Sequence, residues 1–193
     1  MVVSWQGEPG ELGRRLNGEA LRGGLGRARQ TLFLGDGASW IWNLKQDRWA
    51  QAIELLDFYH GRQHLWALGE AWCGPIRPGR SRWVEPRLHP LRHGQEKKVL
   101  AQIRGLKQCR GATGEVIERE SNYFANHAQR MNHQAMARRG WPIGSGTVES
   151  AGRQKQCRCK RPGPFWTPQG RRRLRALDEA RRNHHWDPLW MPN

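Results

Sequence analysis

Residues Thr31–Phe58 read TLFLGDGASWIWNLKQDRWAQAIELLDF, and their pattern sets the architecture. The apolar run TLFL stops at Gly35-Asp36-Gly37, the signature of a buried strand whose C-terminal end presents an aspartate. Ala38–Trp49 follows with Trp40, Ile41 and Leu44 as an apolar helical set, and AIELLDF at 52–58 reads as a second buried strand. Strand, helix and strand in direct succession favour a parallel pair joined by a crossover, so the fold class expected is α/β.

Upstream, residues 11–29 place Leu12, Leu16, Leu21 and Leu25 at near-helical spacing, weakened by five glycines. Downstream, Tyr59–Trp72 is helical in pattern, with Leu65, Trp66, Leu68 and Trp72. Residues 73–94 are rich in Pro, Gly and Arg and read as a loop or insertion. Helices are expected over about 94–109, with Val99, Ile103 and Leu106 on one face, and over about 115–139. WPIGSG (141–146) is a turn. A helix over 147–159 is stopped by Pro162-Gly163-Pro164, and a last helix covers about 168–182 before the tail HHWDPLWMPN.

Composition narrows the partners. The chain of 193 residues carries 33 Lys+Arg against 17 Asp+Glu, a formal charge of +16, which repels itself unless a polyanion neutralises it. A membrane partner is disfavoured by the lack of a long apolar run or a strongly apolar amphipathic face, and the N-terminus shows no secretory pattern. The expected location is therefore cytoplasmic. Cys73, Cys109, Cys157 and Cys159 match no zinc-ligand spacing and read as reduced thiols. Most of the 11 tryptophans, among them Trp40, Trp42, Trp49 and Trp66 beside aliphatics, read as core rather than as stacking platforms for bases.

Four residues are candidates for chemistry. Asp36 ends a strand between two glycines that leave room for a metal or phosphate; the plainer reading is a turn aspartate. Glu149 opens a basic helix in a region, 138–182, with 13 Lys/Arg and 3 Asp/Glu. It could hold a cation beside a phosphate-binding surface, or simply pair with Arg153 one turn on. Asp57 and His60, with His64 one turn later, invite a zinc reading, but HGRQH lacks the glutamate of a zinc protease; a hydrogen bond fixing the strand end is favoured. HPLRH (89–93) repeats that spacing inside a proline-containing loop. No P-loop and no G-x-S-x-G elbow occurs.

Taken together, LGDGASWIWNL, ELLDFYHGRQHLW, NYFANHAQRMNHQAMARRGWPIGSGTVESAGRQ and KRPGPFW…WDPLW resemble the ISKra-type bacterial insertion-sequence transposases, relatives of the Mutator-like group, over about residues 10–190. IGSGTVES is the most specific block and DFYH–xxx–HLW the next. The resemblance implies a partial RNase H-like (retroviral integrase-like) catalytic core with a mainly helical insertion and a basic C-terminal helical region. It divides the chain into 1–60 (partial core), 61–139 (insertion), 140–183 (catalytic-Glu helix and basic helix) and 184–193 (tail). It implies an Asp-Asp-Glu triad binding Mg²⁺ or Mn²⁺, with Asp36 as the second Asp and Glu149 as the Glu, close enough to share a metal cluster. Asp57 and His60 would form the family's D-x-x-H motif. Arg153, Lys155, Arg158, Lys160 and Arg161 would neutralise phosphates of double-stranded DNA, both transposon ends and target, in a nucleoid-associated transposase able to form oligomers.

The first Asp of the triad is expected well upstream of Asp36. Only Glu8, Glu11 and Glu19 precede it, none in a strand-like run, so a truncated reading frame inactive in strand cleavage is expected. Pro162 and Pro164 also depart from the turn expected of the family. Two other readings compete: a non-catalytic basic DNA-binding fragment that interferes with an intact transposase, and an unrelated RNA-binding protein, the latter weakened by the lack of an RNP motif or a GXXG loop between helices.

Overall fold

The structure, a computed structural model, describes residues 1–74, 77–106, 111–160, 163 and 165–191. In chain order it contains α1 (Pro9–Arg22), β1 (Leu32–Gly35), α2 (Ser39–Arg48), β2 (Ile53–Leu56), α3 (Phe58–Cys73), α4 (Arg77–Arg92), α5 (Glu96–Arg104), α6 (Ala112–Asn126), α7 (His133–Arg138), α8 (Gly146–Cys159) and α9 (Pro168–Arg182), with short 3₁₀ turns at Leu25–Arg27, Ala128–Arg130 and Asp187–Leu189. It is a mixed α/β chain, mostly helical. Two compact units divide it: one of 32–45 and 51–145, the other of 1–31, 46–50 and 146–193.

The first unit holds the sheet. β1 and β2 pair in parallel, Leu32 opposite Ile53 through Gly35 opposite Leu56, with α2 starting the crossover. Leu55 and Leu56 point to opposite faces yet are both fully buried, as expected of a parallel strand covered on both sides. Gly35 is required by packing: a Cβ there would sit 2.9 Å from Ile41 Cγ2 and 3.2 Å from the Trp42 ring. The core is continuous from the sheet into the helices, joining Leu56 and Phe58 to Leu65 and Leu68 of α3, Val84 and Leu91 of α4, Val99 and Ile103 of α5, and Ile117 and Phe124 of α6. Gly69 lets α3 and α4 approach, since a Cβ there would fall 2.4 Å from Val84 Cγ2.

Four sequence expectations are corrected in this unit. The proline-rich stretch read as a loop over 73–94 is largely helix α4, with Pro86 and Pro90 inside it. Tertiary burial outweighs the two missing backbone donors: Val84, Leu88 and Leu91, spaced i, i+4, i+7, pack on the core, while Arg87 Nη1 donates to the Trp83 carbonyl at 2.5 Å. HPLRH accordingly begins on that helix rather than in a loop, and His89 stacks on His93. The single helix expected over 115–139 is broken into α6, a 3₁₀ turn and α7, a break that brings His133 Nε2 to the Leu56 carbonyl at 2.9 Å. Trp42 is buried but Trp40 is 44% exposed, because only one face of α2 meets the sheet.

The second unit has a different build. Its N-terminal segment is held to α9 by polar contacts: Val2 exchanges hydrogen bonds with the Asn183 side chain, and Ser4 N–H and Oγ donate to Glu179 Oε1 at 2.5 and 2.7 Å. Trp49 Nε1 donates to Asn17 on α1 at 3.0 Å. α9 starts on a Thr167 cap whose hydroxyl accepts from Gly170 N–H. Cys73, Cys157 and Cys159 are free thiols; Cys109, Pro162 and Pro164 lie outside the described residues. Among the described residues no helix is long and apolar enough to cross a membrane.

Candidate functional site

The carboxyl ends of two adjacent parallel strands are where polar side chains can project from an otherwise covered sheet. Asp36 follows β1 directly and Asp57 follows β2, and the Asp57 N–H donates to the Gly35 carbonyl at 2.7 Å, carrying the ladder one residue further. The two aspartates then have different fates.

Asp57 is fully buried and its carboxylate is consumed by backbone donors. Oδ1 accepts from the N–H groups of Tyr59 (2.7 Å) and His60 (3.2 Å), capping α3, and Oδ2 accepts from Ser145 N–H at 2.5 Å. Burial pushes its pKa up, but the Ser145 side chain and these N–H groups outweigh burial and hold it below the ordinary carboxylate value. His60 contributes its backbone N–H, with Nδ1 4.0 Å from Asp57 Oδ2. Around this carboxylate the IGS segment locks on to the start of α3: Phe58 N–H donates to the Ile143 carbonyl at 2.9 Å, and a Cβ at Gly144 would lie 2.4 Å from the Tyr59 ring.

Asp36 is half-buried and engaged on one oxygen only. Oδ1 accepts from Ala38 N–H at 2.9 Å, while Oδ2 takes no hydrogen bond from the described residues. Its backbone carbonyl accepts from the Tyr123 hydroxyl at 3.0 Å. Gly37 has φ +104°, and a Cβ there would fall 2.7 Å from the Tyr123 ring, so glycine is needed on two counts.

Tyr123 is the centre of a cluster that the sequence reading did not single out. Its ring stacks on His64 of α3 (centroids 3.5 Å apart) and meets His127 edge-on at 4.8 Å. One turn earlier on α6, the buried Glu120 accepts from His64 Nδ1 at 2.6 Å and from Arg119; a carboxylate oxygen only accepts, so Nδ1 carries the proton. Burial, then the charges of Asp36, Asp57 and Glu120, hold the Tyr123 hydroxyl far above its ordinary pKa, so it remains a donor. Burial and Arg130 push His127 down, keeping it neutral. Glu54 of β2 is buried enough to resist ionising, yet Arg130 and Lys45 (3.2 Å) prevail and lower its pKa. The one signal in the sequence was rarity: the chain has two tyrosines, and both border these strand ends.

The second unit carries the other expected residues. Glu149 lies in the first turn of α8 and is exposed, so Asp36 and Glu149 belong to different units, each described within its own. Arg153, Arg158 and Lys160 are exposed, and Arg153 and Arg158 line a groove of about 700 Å³ with Gln154, Cys157, Trp166 and Leu174. Lys155 is turned inward to Asp178 at 3.6 Å, and Asp178 also accepts from Arg182 Nε at 3.0 Å, so this lysine serves the α8–α9 pairing. Arg161 lies outside the described residues. Comparison with protein-family models, with curated proteins and with solved structures found no match to this chain.

Proposed function

We propose that this chain is a DNA transposase segment of the DDE type, similar to the ISKra group, built on part of an RNase H-like core. The observation that carries the reading is the lock between DFYH and IGSG. These are the two most specific motif blocks, and one buried carboxylate, Asp57, joins them across 88 positions. A family motif has a physical reason to persist where its residues hold each other in place. Support also comes from Asp36 at the end of a strand in a parallel pair with a crossover helix.

Residue roles follow from the geometry. Asp57 and His60 fix the start of α3 rather than meet a substrate. Asp36 fits a hard cation: it is a half-buried oxygen donor whose Oδ2 takes no hydrogen bond from the described residues. Glu149 enters from the resemblance alone, as the glutamate of the triad. Mg²⁺ or Mn²⁺, when bound, would activate the attacking oxygen and stabilise the leaving one in phosphoryl transfer. Tyr123 orients the Asp36 turn through its backbone carbonyl. Arg153 and Arg158 would hold DNA phosphates in the α8 groove, and the exposed Lys160 just past the end of that helix would add a further charge.

Asp36 and Glu149 alone supply too few oxygens to hold two metal ions in line, so on these two carboxylates duplex DNA is expected to be bound without being cleaved. That expectation also describes the second reading, a binding fragment that interferes with an intact transposase. It is favoured by the exposed basic residues of α8. A salt titration of duplex binding and a supercoiled-plasmid assay with Mg²⁺ test both. Four to six phosphate contacts give a slope of log affinity against log salt of roughly −4 to −5. Salt-insensitive binding, or a preference for single-stranded RNA, overturns the DNA reading. Nicking that disappears in Glu149→Gln overturns the inactivity of the chain. Mn²⁺ binding tests each carboxylate by itself: an Asp36→Asn or Glu149→Gln variant that binds Mn²⁺ like the parent removes that residue from the metal reading.

A further inference from the structure

Besides the α8 groove, two clefts along the helices of the second unit differ in how their charges are arranged. The first, of about 320 Å³, is lined by Arg14, Arg15 and Arg22 together with Glu11, Glu19 and Glu179. Its charges are neutralised internally: Glu11 pairs with Arg14 and Arg15 at 2.8 and 2.7 Å, and Glu19 pairs with Arg22. The second, of about 380 Å³, is lined by Trp5, Gln6, Pro168, Arg171, Arg172 and Arg175. No carboxylate lines it, and none of its three arginines has an acidic partner among the described residues.

The local structure explains why these residues meet. The N-terminal segment runs antiparallel along α9, Val2 against Asn183 and Ser4 against Glu179, so Trp5 and Gln6 arrive beside the first turns of that helix. Arg171 and Arg175 are i, i+4 and Arg172 and Arg175 are i, i+3, which places the three guanidinium groups on one face. Asp178 and Glu179, the acids of α9, are committed elsewhere, to Lys155 and Arg182 and to Ser4. The Trp5 indole N–H is buried and has no acceptor among the described residues, a state that an anionic oxygen would relieve on displacing the side chains that cover it. A row of unpaired guanidinium groups with amide and indole donors beside it matches phosphodiester oxygens and has nothing to offer a cation or an apolar ligand.

We propose that this groove is a second phosphate-binding surface, in which Arg171, Arg172, Arg175, Gln6 and Trp5 hold the backbone of double-stranded DNA apart from the α8 residues. It rests on the DNA-binding reading above and adds a surface that the motif blocks do not contain.

Charge-matched pairs in the full chain test it. Arg171→Gln with Arg172→Gln removes two charges from the groove; Arg173→Gln with Arg181→Gln removes two exposed charges of the same helix outside it. With a 20-bp duplex as probe, the groove pair makes the log affinity–log salt slope shallower by roughly 1.8, at 0.9 per phosphate, and the control pair leaves it unchanged. Replacing Arg171 and Arg172 with Lys restores the slope, and unchanged helical circular dichroism in each variant certifies the fold. Equal effects from the two pairs, or no effect from the groove pair while the parent chain binds DNA, overturn the second surface alone. A parent chain that binds no duplex overturns the DNA reading itself. Trp5→Phe keeps the ring and removes the donor; unchanged affinity overturns the indole's part.

Discussion

The unit that carries the sheet and the unit built from the two ends of the chain are stabilised by different physics. Of the buried apolar side chains among the described residues, all but Ala151 lie in the sheet unit. The other unit leaves Val148, Phe165, Trp166, Trp186, Trp190 and Met191 exposed and is joined by ion pairs and side chain–backbone hydrogen bonds. Hydrophobic burial is close-packed and fixes atoms to a fraction of an ångström, whereas exposed ion pairs contribute little to stability and yield to salt. The lesson is a division of labour. Asp57, whose carboxylate is fixed by three backbone N–H groups, sits where packing is dense, and the cations of α8 and α9 sit where most side chains stay free in solvent.

The largest expected effect tests the core. Phe124→Ala, at a fully buried site, should destabilise by about 3–5 kcal/mol in urea unfolding, and Leu177→Ala, exposed on α9, by less than about 0.5 kcal/mol. Equal losses would abolish the contrast between the units.

Next comes the lock. Asp57→Ala strips the acceptor from the N–H groups of Tyr59, His60 and Ser145, and should cost about 2–3 kcal/mol. Because the folded pKa of Asp57 lies below its ordinary value of 3.8, its contribution is fully present above pH 3.8 and is lost as pH falls through the folded value. Urea unfolding between pH 5 and about 2 should therefore show a fall in stability that Asp57→Asn flattens. A fall of undiminished size in that variant assigns the acid sensitivity elsewhere.

A smaller effect lies at milder pH. His133 is buried with Nε2 on the Leu56 carbonyl, and burial holds its pKa below 6.5. The unfolded chain then binds more protons below pH 6.5, so stability is present above that pH and declines as pH falls through the folded value. His127 titrates in the same direction, so the decline should be partly removed in His133→Gln and further removed with His127→Gln added. No change in the double variant would mean that neither ring is kept neutral.

The smallest effect sharpens the other side. Lys155 and Asp178 are mostly covered but sit in the unit without an apolar core, and Lys155→Ala should cost no more than about 1 kcal/mol. A loss matching Asp57→Ala would show that this unit also depends on specific polar contacts.

Residues alone determined the parallel strand pair, because two apolar runs flanking one helical turn pattern leave a right-handed crossover as the simplest route. They determined the basic helices at 147–159 and 168–182, since charge and proline stops are local properties. They marked Asp36 and Asp57 as strand-end carboxylates, because each follows directly on a short apolar run. What they left undecided is which aspartate is free: the donors that consume Asp57 include Ser145, far away in sequence. Helix α4 was equally illegible, because prolines set a local penalty that only the buried faces of Val84 and Leu91 outweigh. The Tyr123–His64–Glu120 cluster and the unpaired arginines of α9 belong to the same class. Partners and their absence are relations across space, and only the tertiary structure, which brings α6 on to α3 and the N-terminal segment on to α9, decides them.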